Sequence, residues 1–66
     1  MAMKLSDIAN EVLKMKIGSE KTFQLDKIPK QDELNDWAFY INDKRPNAQI
    51  SVLRNDFSLT VSVRKL

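Results

Sequence analysis

Ala48-Gln49-Ile50-Ser51-Val52-Leu53-Arg54-Asn55-Asp56-Phe57-Ser58-Leu59-Thr60-Val61-Ser62-Val63-Arg64-Lys65 alternates apolar and polar residues twice, out through Ile50 and Val52 and back through Phe57, Leu59, Val61 and Val63. Side chains on a strand point to opposite faces with period two, so each run reads as a half-buried strand. Asn55 and Asp56 tolerate tight-turn backbone, which predicts a β-hairpin over residues 48–65 with these two at its tip. That register sets Val52 opposite Leu59, Ile50 opposite Val61 and Ala48 opposite Val63, and a four-residue loop over 54–57 keeps the same pairing. Every apolar partner then lands on one face. The other face carries Gln49, Ser51, Ser58, Thr60, Ser62 and Arg64, a hydroxyl-rich surface with Leu53 as its one apolar member.

A hairpin alone cannot bury its apolar face, so the residues before it must cover that face. Between Gln31 and Arg45, Leu34, Trp37, Ala38 and Ile41 fall at i, i+3, i+4 and i+7, the core stripe of a helix that Pro46 ends. Asp32, Glu33 and Asp36 crowd its start and Lys44 and Arg45 its end, as the helix dipole favours. Residues 4–17 predict another amphipathic helix through Leu5, Ile8, Val12 and Met15, widened by Ala9 and Leu13, with Gly18 supplying a left-handed residue at its end. Thr22 to Leu25 alternates as a short strand that sends Phe23 and Leu25 to one side. Pro29 keeps Ile28 out of helical geometry before the second helix begins. The expected fold class is α+β: two helices packed on a small antiparallel sheet in the order α-β-α-β-β, closed by the C-terminal hairpin.

At 66 residues the chain reads as one domain, residues 1–66, of a size that leans on a staple, a metal or a partner when its core is thin. It has no Cys and no His, which leaves oligomerisation or partner binding as the open support. No apolar run approaches the roughly 20 residues that cross a bilayer, and Met1-Ala2-Met3-Lys4 leads into an amphipathic segment instead of a signal-peptide core. These features predict a cytoplasmic protein with no membrane contact.

The same residue shortages weigh against catalysis, because no carboxylate pair suggests an acid and a base and one glycine cannot build a phosphate-cradling loop. No enzyme activity, small-molecule substrate, cofactor or metal is expected; Asp32, Glu33 and Asp36 read as a dipole complement. Charge is the more informative feature. Residues 1–43 hold six Lys against eight acids, whereas residues 44–66 hold Lys44, Arg45, Arg54, Arg64 and Lys65 against Asp56 alone, so the hairpin end carries +4 and the rest −2. Those five bases are the candidate nucleic-acid contacts, reaching the phosphates of DNA or RNA.

Aromatic placement supports an alternative. Phe39 lies about 140° round the helix from Leu34 at roughly 100° per residue, away from the core stripe, with Tyr40 on its flank. Either Phe39 packs beneath the first helix or a loop, or Phe39 and Tyr40, with Leu53 as a further exposed apolar residue, form a partner-binding patch. The partner would be a host protein, a second copy of the chain or unstacked bases. On this alternative the domain is a protein-interaction module, an inhibitor or a small homodimer.

The stretch from Phe23 to Lys65 resembles a winged helix: a strand ending Phe23-Gln24-Leu25, the lead-in Asp26-Lys27-Ile28-Pro29, a helix through Trp37 and Tyr40, then Ile50-Ser51-Val52 paired with Leu59-Thr60-Val61. It is similar, too, to small accessory proteins of bacteriophages and mobile elements that end in a helix and hairpin. The resemblance implies a small nucleic-acid-binding or regulatory accessory domain. Two departures limit it: residues 26–30 are too short for the extra helix a winged helix places there, and Asp32, Glu33 and Asp36 occupy the turn that ordinarily meets bases. Arg54, Arg64 and Lys65 of the hairpin remain the expected backbone contacts.

Overall fold

The computed structural model describes residues 2–66. Its elements are α1 (Leu5–Lys14), β1 (Glu20–Gln24), α2 (Gln31–Lys44), β2 (Ala48–Asn55) and β3 (Ser58–Lys65), which is the expected α-β-α-β-β order of an α+β fold. The three strands form one antiparallel sheet in the order β1-β3-β2. Among the described residues no helix is long and apolar enough to cross a membrane.

Both helices lie on one face of the sheet, and the core sits between the layers. Ile8, Ala9 and Val12 of α1 and Leu34, Trp37 and Ile41 of α2 meet Phe23 of β1, Ala48 and Ile50 of β2, and Leu59, Val61 and Val63 of β3. Leu59, Val61 and Val63 are completely buried, as befits the central strand. Each such side chain stabilises the fold by about 1.5–3 kcal/mol relative to an exposed one. Trp37 joins the helices, donating its indole N–H to the Leu5 carbonyl oxygen at 2.8 Å.

The hairpin register differs from the expected one by two residues. Val52 pairs with Val61, Ile50 with Val63 and Ala48 with Lys65, and Asn55↔Ser58 is the last pair, so Asp56 and Phe57 form the turn. Asp56 takes φ 54°, a left-handed conformation that Asp tolerates better than most residues. Phe57 is therefore not a core residue; it stands half-exposed while its carbonyl oxygen accepts the Leu25 N–H at 2.6 Å. Because strand side chains repeat with period two, a slip of two leaves the inward set of β2 and β3 otherwise unchanged.

The first helix also ends sooner than its apolar spacing implies. Met15 is extended, with its N–H folded back onto the Val12 carbonyl oxygen at 3.1 Å. Gly18 is left-handed, φ 92°, but serves the turn into β1, where its N–H donates to the Val63 carbonyl oxygen at 2.6 Å.

Both sheet edges are partly covered. Met3 runs beside Leu25 and donates its N–H to the Gln24 carbonyl oxygen at 2.7 Å. On the other edge the Asn42 side-chain oxygen accepts the Ile50 N–H at 2.9 Å. Such caps occupy backbone groups that would otherwise template pairing with another chain.

Candidate functional site

Three sides of the molecule hold the residues singled out from the sequence. The first is the outward side of α2. Phe39 is 75% exposed and Tyr40 50%, in a helix whose Leu34, Trp37 and Ile41 are buried, so the packed alternative for Phe39 does not hold. One helical turn away on either side of Phe39 stand Asp36 and Asp43, at i−3 and i+4, with Asp32 a further turn back; all three are exposed. An exposed aromatic ring with an acidic surround results.

The second is the open face of the sheet, opposite the helices. Leu53 lies there, 69% exposed, with the sheet and α2 between it and Phe39. Its neighbours form the hydroxyl surface expected from the sequence: the Thr22 and Thr60 hydroxyls meet at 3.0 Å, and Ser62 donates to a Glu20 carboxylate oxygen at 3.2 Å. Phe39, Tyr40 and Leu53 therefore do not form one patch.

The third group, the five C-terminal bases, is dispersed. Arg54 stands at the hairpin tip with its guanidinium on the Asp56 carbonyl oxygen, on the helix side of the sheet. Arg64 and Lys65 are at the other end of β3, five and six residues beyond Arg54's partner Leu59, a separation of about 17 Å or more at 3.3–3.4 Å per residue. Successive strand residues face opposite ways, so Arg64 joins the open face and Lys65 does not. Lys44 lies against Tyr40, its Nζ 5.6 Å from the ring centroid.

Arg45 has a different role from the one expected. Its guanidinium donates to the carbonyl oxygens of Val12 at 2.9 Å and Met15 at 2.6 Å. Helix ends leave carbonyl groups without partners, and Arg45 supplies them at the end of α1. A half-buried guanidinium held by two carbonyl groups is a structural brace.

A groove of about 560 Å³ opens between the two helices beside Tyr40. Ala9 and Trp37 floor it, Ser6 and Asn10 form the α1 wall, and Glu33, Asp36 and Tyr40 the α2 wall. The sequence identifies Glu33 and Asp36 only as dipole complements, and nothing in it marks Ser6 or Asn10, because the groove exists only once α1 packs on α2. The signal available in advance is Tyr40, singled out on the flank of the core stripe, which stands on the α2 wall.

No family model, curated protein or solved structure matches this chain. The winged-helix resemblance accordingly rests on the residues quoted for it. Among the described residues α2 is the one helix between β1 and the hairpin, so the helix-turn-helix pair of that pattern is not formed here.

Proposed function

We propose that this domain is a protein-interaction module whose binding surface is the outward side of α2, centred on Phe39 and Tyr40. The observation that carries this reading is Phe39 at 75% exposure in mid-helix. Burying a phenylalanine recovers about 1.5–3 kcal/mol, and a domain that completes its core with other residues has no folding use for this one. Exposed aromatic residues are the side chains that most often anchor protein interfaces. The reading makes the domain a binder and not an enzyme.

The phosphate-contact reading draws less support. The basic residues do not converge, Arg45 braces α1, and the aromatic pair is bordered by Asp36 and Asp43, which repel a phosphate backbone.

The test is Phe39→Ala in the full chain, followed by circular dichroism, analytical ultracentrifugation and affinity capture from host extract. The variant keeps the parent's spectrum and melting temperature but loses self-association or partner capture. A variant that unfolds, or one that captures and associates as the parent does, overturns the assignment.

A further inference from the structure

Building on that reading, we infer that the partner presents a cationic amphipathic segment, with apolar side chains for the α1–α2 groove and Lys or Arg for its acidic wall. Three observations converge on this chemistry. The groove has an apolar, aromatic floor in Ala9 and Trp37, so it takes hydrocarbon. Its charged lining is Glu33 and Asp36, and the helix they belong to carries four acids and no base from Gln31 to Asp43. An apolar occupant bringing no positive charge would leave these carboxylates facing a low-dielectric surface, whereas a cationic one pairs with them. Finally, Tyr40 at the groove wall already attracts a cation from its own chain: Lys44 Nζ stands 5.6 Å from its ring. That distance fits a cation over an aromatic face. A partner guanidinium can add to the ring or replace this lysine.

The geometry suits a helix laid across the groove better than a buried small molecule. The site is an open channel between two helices, and Phe39 stands outside it, beyond Asp36 of its wall. A partner helix placing apolar residues at i, i+4 and i+7 would fill the channel, with basic residues beside Glu33 and Asp36.

The probe is a synthetic amphipathic peptide with leucines on one helical face and lysines elsewhere, compared with the same peptide carrying glutamates in place of lysines. Each is titrated into isotope-labelled full chain and followed by amide chemical shifts and Trp37 fluorescence. The lysine peptide binds at least about tenfold more tightly, weakens as salt rises, and shifts Ser6, Asn10, Trp37 and Tyr40. Glu33→Lys combined with Asp36→Lys reverses the preference; both residues are exposed, so the fold survives the change. Equal affinity for the two peptides, no binding by either, or shifts confined to the open sheet face overturns the inference. So does a dimer of the free chain whose interface maps to the groove, which would make a second copy the occupant, or preference for duplex DNA over the lysine peptide. Should Phe39→Ala abolish partner capture while charge reversal changes nothing, the interaction surface stands and the cationic partner falls.

Discussion

Arg45, at the end of α2, holds the Met15 carbonyl oxygen at 2.6 Å and thereby closes the end of α1. One side chain thus ties the end of the first helix to the end of the second. Arg45→Ala leaves both carbonyl groups without this donor and costs about 1.5–3 kcal/mol, the range for hydrogen bonds to a charged group. Arg45→Lys recovers only part, because both bonds come from Nη1, one bond further from the backbone than a lysine Nζ, and an ammonium is more strongly hydrated. Urea denaturation of the three proteins checks the order.

The Asn42 side chain performs a comparable service for β2, accepting the Ile50 N–H on the free edge of the sheet at 2.9 Å. Asn42→Ala frees that N–H. Hydrogen exchange at Ile50 should accelerate relative to Leu59 on the central strand, and stability should fall by about 1–2 kcal/mol. Exchange at Ile50 unchanged from the parent would show that the cap contributes nothing.

At the hairpin tip, Asp56 with φ 54° predicts strong dependence on residue type. Asp56→Val places a β-branched side chain in left-handed geometry and destabilises the domain by about 1–2 kcal/mol. Asn55→Val, at a position in extended strand paired with Ser58, changes stability much less. Thermal melts of the two variants discriminate this turn from one centred on Asn55 and Asp56, for which both substitutions would be costly.

Those variants mark where the sequence is and is not sufficient. The alternation from Ile50 to Val63 specifies which side chains face inward, because period two is a local property of any strand. It does not specify register, since a slip of two satisfies it equally. What separates the slips is the turn, which sets Asp56, at φ 54°, and Phe57 between the paired Asn55 and Ser58. The site divides the same way. Phe39 could be placed off the core stripe by helix geometry alone. Arg45 beside Pro46 looks like an ordinary helix-terminal base until α1 arrives to be braced, and Ser6 and Asn10 acquire meaning only as one wall of a groove.

Phe23 and Phe39 offer a direct comparison, being the same residue on opposite sides of the packing: 5% and 75% exposed. Phe23 sits on β1 opposite Leu59 and faces the helices, so Phe23→Ala removes transfer energy and leaves a cavity, about 3–5 kcal/mol. A 66-residue domain has a total stability of only about 3–10 kcal/mol at 0.05–0.15 kcal/mol per residue. Phe23→Ala therefore leaves the chain largely unfolded or sharply lowers its melting temperature. Phe39→Ala stays within about 0.5 kcal/mol of the parent, because no core contact is lost. Were Phe39→Ala to destabilise the free chain as much as Phe23→Ala does, Phe39 would be working for the fold, and its exposure would not mark a partner surface.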